Sequence, residues 1–445
     1  MADRYATQAR RCYPARRASD RVSSALAAFD LAEYTTTART TGRAQLPTRI
    51  RCEARTLYNL LSDFQREHST VPRQLADTIE LATRVLLPEW FLSETPFPRY
   101  RIYTNLGVLN WYLGTDRRTP YQAIWTRSAT AIGVLLDDVL AFEARSLAGL
   151  EACGTDSFDR AAVVARVMQL AAISGASVSR ARAATRVGDR PPADWQSYLS
   201  DSKAALTHLT ALPLTREHDE YMFIRTLHIS ECCFWGILTA AMATAEQLKT
   251  GDVAVATRCL AVALPFAELL TPMIRALKTM SGSQFERFRE ATGAASALQS
   301  RTYQLMQIAL TGAHSETIDI VAAVDELREL KSYDQPWYVT LSDLAPSPDT
   351  APGSPLFALR QSLDALSREL RKWRKVHRGI VRGYLAARQQ GTGGTTGADY
   401  LKHTVDTAIA DRACAGRVRP GRRHRTFWTL TPEAGHARPV LTADL

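Results

Sequence analysis

The sequence has few cysteines and lacks a long uninterrupted apolar run. Its seven cysteines show no CxxC spacing, and only Cys232 and Cys233 lie close together, which favours free thiols over disulfides or a cysteine metal site. We find no apolar run of the ~18 residues that a membrane helix needs, and we therefore expect no membrane span. The chain also begins without a charged-then-apolar signal pattern, so the sequence favours a cytoplasmic protein.

The sequence also lacks an excess of charge in its middle. The formal net charge is +10, but residues 1–55 hold eleven arginines against five acids, and residues 411–445 hold seven arginines against three acids. Residues 56–410 are therefore formally neutral. A neutral body with basic ends presents no obvious face for phosphates, so we expect no nucleic-acid partner and interpret the two ends as flexible basic tails.

Apolar and polar residues seldom alternate along this sequence as they do in a strand, and the apolar residues recur at helical spacing instead. Apolar residues recur three and four positions apart in Leu57–Phe64, Leu75–Leu87 and Ile124–Leu147. This spacing is typical of helices that bury one face. The sequence therefore predicts an all-α fold.

One break in the helical pattern stands out. Residues 188–192 read GDRPP, a polar stretch that no helix crosses, because proline lacks the backbone N–H and clashes with the preceding turn. We place a domain boundary there. The prediction is an N-terminal helical region at 56–187 and a second helical domain at 188–410.

A histidine occupies an apolar stripe in the second domain. The stripe consists of residues alternately four and three apart: Leu359, Leu363, Leu366, Leu370 and Trp373. The next position on it is His377. The commoner interpretation is a core histidine hydrogen-bonded to a neighbour. The functional interpretation is a neutral imidazole whose ring nitrogen binds a metal or a haem iron.

Two other features of this domain are compatible with a ligand site. Arg289 lies between Phe285, Phe288 and a small-residue turn, and it is either a solvated surface charge or a guanidinium that grips a carboxylate with two bonds. Residues 391–397 read GTGGTTG, a loop that lets the backbone approach a ligand or that forms a helix cap and turn. It is not a Walker A loop, since no lysine follows, nor a dinucleotide fingerprint, since a helix precedes it.

Five segments of the second domain, in order, resemble the tryptophan 2,3-dioxygenase family. WQSYL (Trp195–Leu199) resembles the family's Y-x-x-Y-L segment, and HDEYMFI (His218–Ile224) resembles its H-D-E-x-L-F-I run. Phe288–Ser300 is similar to its F-R…S-G-F-Q-S motif. WRKVH (Trp373–His377) resembles W-R-x-x-H, and Gly391–Leu401 resembles G-T-G-G-x-x-G-x-x-Y-L.

The resemblance implies a helical bundle that binds haem b, here with an additional N-terminal helical region. His377 would be the axial ligand of the iron and would leave the other axial position open for dioxygen. Arg289 would hold the carboxylate of an aromatic amino acid substrate, and Phe223 would line its aromatic pocket. Ser296 would lie beside the haem edge, and Thr392 would contact the ammonium and carboxylate end of the substrate.

The resemblance also implies an assembly of several copies. Tyr198 and Leu199 would complete the pocket, in this family often that of a neighbouring subunit. We therefore expect a homo-oligomer, either a dimer or the tetramer that the family forms. The implied partners are the amino acid substrate and O2, without nucleic acid or membrane.

The sequence departs from the family at the distal position of the pocket. The family's distal histidine, which accepts a hydrogen bond from the indole N–H, aligns with Leu227, and the next residue is His228. Neighbours on a helix point about 100° apart, so the two side chains do not face the same way. Either the helix is shifted in register and His228 is the catalytic histidine, or the pocket is apolar at Leu227. An apolar pocket favours a modified indole as substrate.

The resemblance thus implies a haem-dependent oxygenase of specialised metabolism that acts on tryptophan or a modified indole amino acid. The favoured reaction inserts O2 across the indole C2–C3 bond and gives a formylkynurenine-type product. One alternative is a haem-dependent monooxygenase or hydroxylase of a tyrosine-like amino acid. Another is a non-catalytic helical protein that binds haem.

Overall fold

A computed structural model describes most of the chain between residues 18 and 384. The described residues are 18–68, 71–94, 99–115, 119–149, 159–175, 191–293, 295–312, 327, 330, 340–347 and 349–384. Their secondary structure is helical, and none of these residues lies in a strand. The predicted all-α fold is therefore confirmed.

The helices range from a single turn to the 33 residues of a central helix, His218–Thr250. A helical segment at 18–28 precedes them. In chain order the labelled helices are α1 Leu31–Thr41, α2 Thr48–Glu67, α3 Arg73–Glu94, α4 Tyr100–Tyr103, α5 Leu106–Leu113, α6 Tyr121–Leu147, α7 Arg160–Ser174, α8 Trp195–Ser200, α9 Ser202–Leu209, α10 His218–Thr250, α11 Val253–Ala261, α12 Ala263–Ala276, α13 Gly282–Thr292, α14 Arg301–Thr311 and α15 Pro355–Tyr384.

Local sequence signals set several helix ends. The carboxylates of Asp159, Asp194 and Asp201 accept backbone N–H groups at the starts of α7, α8 and α9. Such caps pair N–H groups that the first turn of a helix leaves without partners. Helix α10 ends at Gly251, whose φ of 83° lies in the left-handed region. Glycine adopts that conformation without strain, so it stops the helix cleanly.

Helix α10 is the centre of the larger hydrophobic core. It packs against α6, α11, α12 and α14, and α11 and α12 pack in turn against α15. Most of its side chains are buried between His218 and Ala245. At Gly236 the ring of Phe266 approaches so closely that an added Cβ would lie 2.5 Å from it. Helix α10 is therefore buried on nearly every side over most of its length, as the central helix of a large core is.

The N-terminal residues form a second core together with α8 and α9. Buried side chains between Val22 and Val108 pack with Trp195, Tyr198 and Leu209. The structure therefore differs from the predicted flexible tail over residues 18–55. Arginines dominate the composition there, but apolar residues at helical spacing decide the burial, and these include Val22, Leu26, Leu31, Tyr34 and Ala38.

The larger core crosses the predicted domain boundary at 188. Helices α6 and α7 precede that position, yet α6 packs against α10 and α7 packs against α12. Leu135 and Leu170 are buried in the same cluster as Ile237. Residues 176–190 lie outside the described residues, so the boundary itself stays a prediction. The helices on its two sides share one hydrophobic core.

One stretch corrects the expectation that the chain has no apolar run of membrane-spanning length. Within the described residues, Val253–Thr279 is long and apolar enough to cross a membrane by length and composition alone. It comprises α11, α12 and a following 3₁₀ turn, which pack against α10 and α15. The core helices of a globular protein satisfy the same criterion, so this single stretch is weak support for a membrane span.

A buried ion cluster around Arg166 joins several helices. The guanidinium donates to Glu143 Oε1 at 2.6 Å and to Asp219 Oδ1 at 2.7 Å. It also donates to the hydroxyl and the backbone carbonyl of Thr279. Burial acts to raise the pKa of Asp219, but the hydrogen bond with His218 and the charge of Arg166 hold that pKa below its usual value. The cluster thereby ties α6, α7 and the start of α10 to the turn after α12.

We expect Arg166→Met to destabilise the fold strongly. The substitution leaves the carboxylates of Glu143 and Asp219 buried without their cation, a loss that costs about 3 to 5 kcal/mol. The control is Arg49→Met, which removes an exposed arginine that pairs with two carboxylates and should leave the unfolding midpoint close to that of the wild type. Urea denaturation measures both, and equal effects of the two substitutions would contradict the prediction.

Candidate functional site

A cavity of about 220 Å³ lies between α10, α13, α15 and the short helix α4. Aromatic rings form much of its wall, among them those of Tyr100, Tyr103, Phe223, Phe285, Phe288 and Trp373. Five residues predicted for the site lie on this wall: Phe223, Leu227, Arg289, Ser296 and His377. A mostly apolar pocket with a few polar groups is typical of a small-molecule site.

His377 lies on the face of α15 that borders the cavity. Trp373, one turn earlier, stacks on the imidazole with ring centroids 5.8 Å apart. Burial lowers the pKa of His377 to about 4, so the ring is neutral near pH 7. Among the described residues, none forms a hydrogen bond with this ring. A neutral imidazole in this position has a ring nitrogen whose lone pair is available to a metal.

Helix α10 contributes a second part of the wall. Its cavity-facing residues follow helical spacing: Phe223, Thr226, Leu227, Ser230 and Phe234. The ring of Phe223 packs 5.2 Å from that of Phe288 and 6.3 Å from that of Phe285, centroid to centroid. The hydroxyls of Thr226 and Ser230 donate to backbone carbonyls of the same helix. At Leu227 the wall is therefore an aliphatic side chain beside a cluster of phenyl rings.

His228 lies away from this cavity and is fully buried. Its Nε2 is 2.6 Å from the carbonyl oxygen of Thr104, and its Nδ1 is 3.3 Å from Nη1 of Arg225. Because a guanidinium only donates, Nδ1 accepts and Nε2 carries the proton that Thr104 accepts. Burial and the charge of Arg225 lower the pKa of His228 to about 3. Both ring nitrogens of His228 thus form hydrogen bonds, and neither faces the cavity.

Arg289 supplies the permanent charge of the cavity. No other arginine or lysine occurs on the wall within the part of the chain that the structure describes. Its helix, α13, also carries Phe285 and Phe288, so the guanidinium stands among phenyl rings. The nearby Ser296 begins a short turn, in which its hydroxyl accepts the N–H of Leu298 and its own N–H donates to Gln299. A positive charge beside aromatic rings suits a ligand that combines a carboxylate with an aromatic ring.

The structure does not bring every predicted site residue to the cavity. Tyr198 is fully buried in the N-terminal core of its own chain, with His208 packed against its ring at 6.3 Å. Leu199 packs at the edge of the same core. Neither residue lines the cavity of its own chain, and the burial of Tyr198 also keeps it from reaching another subunit. Thr392 lies outside the described residues.

Sequence reasoning missed Tyr100 and Tyr103, which come from the N-terminal region. Both are 2% exposed and line the cavity. Their spacing of three residues places them on one face of a helical turn, and this was the available signal. A four-residue helix has too short a pattern to be distinguished from a loop by periodicity.

The chain matches the family model described as tryptophan 2,3-dioxygenase over residues 185–327. It is similar to the tryptophan 2,3-dioxygenase of Pseudomonas aeruginosa strain PAO1, with 24% identity over 232 residues, which covers 44% of this chain and 80% of the relative. The tryptophan 2,3-dioxygenase of Ruegeria sp. strain TM1040 is 27% identical over 227 residues, covering 43% of this chain and 81% of the relative. The tryptophan 2,3-dioxygenase of Bradyrhizobium diazoefficiens is 25% identical over 238 residues, which covers 44% of this chain and 83% of the relative.

We expect His228 to make the folded protein sensitive to acid. Its pKa is about 3 in the folded chain but about 6.5 in an unfolded one, so below pH 6.5 the unfolded chain takes up a proton that the folded chain does not. The stability linked to this ring is complete above pH 6.5 and is lost as the pH falls toward 3. The loss amounts to about 2 kcal/mol between pH 7 and pH 5.

Urea denaturation at pH 7 and pH 5 measures this effect. The variant His228→Gln keeps an amide donor and acceptor but does not titrate, so its stability should decline less between the two pH values than that of the wild type. Equal declines would show that His228 does not carry the acid sensitivity.

Proposed function

We propose that this chain, a member of the tryptophan 2,3-dioxygenase superfamily at low identity and over part of its length, is a haem-dependent oxygenase of an indole amino acid. One observation carries the proposal. The neutral imidazole of His377 and the guanidinium of Arg289 lie on the wall of one aromatic cavity. The first suits a haem iron and the second a substrate carboxylate.

The chemistry of the residues on the cavity wall suits a haem. Iron in haem takes a neutral imidazole as axial ligand, and His377 is neutral and has no hydrogen-bond partner among the described residues. The neighbouring wall residues Phe234, Trp373 and Ile380 offer the apolar contacts that a flat macrocycle needs. When bound, the haem would supply the binding and activation of O2. The chain itself would hold the iron through His377 and would keep water away with its apolar wall.

The same cavity fits an aromatic amino acid. Arg289 would hold the carboxylate through two parallel N–H bonds, because the planar guanidinium matches that group. The rings of Phe223, Phe285 and Phe288 would pack on the aromatic ring of the substrate. Contact of Thr392 with the ammonium and carboxylate end remains part of the proposal. Together these groups fix both ends of the substrate and so orient its reacting bond.

The wall at Leu227 favours an indole without a free N–H. A leucine side chain cannot accept a hydrogen bond, and an N–H left unpaired in a dry pocket costs about 1 to 3 kcal/mol. We therefore propose a modified indole amino acid, for example one alkylated on the ring nitrogen, as the preferred substrate. Such a substrate would place the protein in specialised metabolism.

The favoured reaction is insertion of O2 across the indole C2–C3 bond. That bond breaks, each carbon gains one oxygen atom, and the product is of the formylkynurenine type. The reaction balances with O2 alone and needs no external reductant. Monooxygenation of a tyrosine-like amino acid would add one oxygen atom and would need a reductant or a peroxide, so product mass separates the two reactions.

We expect His377→Ala to lose haem binding. The variant lacks the imidazole that would hold the iron, and the haem content per chain and the Soret band of the purified protein should fall to background. His208→Ala is the control, because His208 is a buried histidine outside the cavity and its loss should leave the haem content unchanged. A normal Soret band in His377→Ala would overturn the assignment of the ligand.

We expect Leu227→His to improve the turnover of unmodified tryptophan relative to that of N1-methyltryptophan. The new imidazole can accept the indole N–H, which removes a penalty of about 1 to 3 kcal/mol and corresponds to roughly a five- to hundredfold change in the ratio of the two rates. The assay incubates reduced, haem-loaded protein with O2 and each amino acid, and product masses are compared. If the wild type already prefers tryptophan, the proposed preference for a modified indole is wrong, and another acceptor on the wall, such as the hydroxyl of Ser230, accepts the indole N–H.

A further inference from the structure

Part of the cavity wall comes from a segment that precedes the match to the family model. That match begins at residue 185, whereas α4, Tyr100–Tyr103, lies in the N-terminal region. Both of its tyrosines line the cavity. The N-terminal region of this chain therefore contributes directly to the site.

Tyr100 is held at its side chain and at its backbone. Its hydroxyl donates to Oε1 of Glu231 at 2.9 Å, and the hydroxyl of Ser300 donates to the same oxygen. Its backbone N–H donates to Oε1 of Gln299 at 2.9 Å. Glu231 belongs to α10, and Ser300 and Gln299 follow Ser296. Tyr100 is thus bound to the two segments that also carry Leu227 and Ser296.

Arg43 holds the carboxyl end of α4. This arginine is completely buried, and its Nη2 donates to the carbonyl oxygens of Ile102 at 3.2 Å and Tyr103 at 2.8 Å. Its backbone N–H donates to the carbonyl of Pro213 at 2.7 Å. Because Tyr100 is bonded at its hydroxyl and at its backbone N–H, and Arg43 holds the end of the same helix, the ring of Tyr100 is a fixed limit of the cavity.

We propose that Tyr100 is a specificity-determining residue, whose ring limits the size of the substituents that a bound indole amino acid can carry, and that Glu231 is a positioning residue that holds this ring. The inference rests on the proposed function for the class of ligand. The restriction itself follows from the position of Tyr100 on the wall and from its bonds to Glu231 and Gln299.

The test compares Tyr100→Ala and Tyr100→Leu with the control Tyr34→Phe. Tyr34 is also buried and also donates to a buried carboxylate, Glu89, at 3.0 Å, but it lies in the N-terminal core away from the cavity. The probes are L-tryptophan and a series of ring-methylated tryptophans, and their Kd values are measured by calorimetry on haem-loaded protein without O2. Haem content and thermal midpoint are recorded for each variant.

We expect both Tyr100 variants to bind at least one ring-methylated tryptophan more tightly, relative to tryptophan, by about tenfold, the usual effect of accommodating a methyl group. Tyr34→Phe should leave that ratio unchanged, whatever its thermal midpoint. If the Tyr100 variants lower the midpoint but keep the wild-type ratios, Tyr100 has only a structural role and the inference is wrong. If the wild type binds haem but none of these amino acids, the proposed substrate class is wrong, and the inference about Tyr100 is wrong with it.

Discussion

The buried pair of Arg166 and Asp219 is the interaction on which the geometry of the cavity depends. The second carboxylate oxygen of Asp219 accepts the N–H of Ser281, and its backbone N–H donates to the side chain of Gln284. One aspartate therefore fixes the start of α10 relative to the start of α13. These helices carry Phe223 and Leu227 on one side and Arg289 on the other. Burying such charges is costly, and here the cost is offset because every oxygen of the carboxylate is bonded.

Residues whose position follows from local helical geometry could be predicted from the sequence. The apolar stripe of α15 places His377 on the inward face, and the cavity lies on that face. The 100° step along α10 separates Leu227 from His228, and only the leucine borders the cavity. In each case the helix alone decides where the side chain points. The chemistry assigned to these residues is a proposal that the geometry supports.

Residues that reach their place through contacts distant in sequence could not be predicted in this way. Arg43 lies in an arginine-rich segment whose composition indicates a solvated tail, yet it is buried because its guanidinium finds two carbonyl oxygens of α4. The position of the Tyr100 ring depends on its hydrogen bond to Glu231, which lies far along the chain. Tyr198 matches a family motif, but its hydrophobic neighbours α1 and α3 draw it into a core of its own chain. Neither composition nor periodicity carries information about such partners.

The separation between Tyr100 and Glu231, 131 positions along the chain, has a consequence for how the molecule is assembled. A ribosome adds about 5 to 20 residues per second, so α4 waits on the order of ten seconds for the helix that holds it. During that interval helix α6 has no α10 to pack against. Helices α13 and α15 follow α10 in the chain, so the parts of the wall that carry Arg289 and His377 are synthesised later still. The tyrosines of α4 therefore meet the histidine of the site only when nearly the whole described chain has been synthesised.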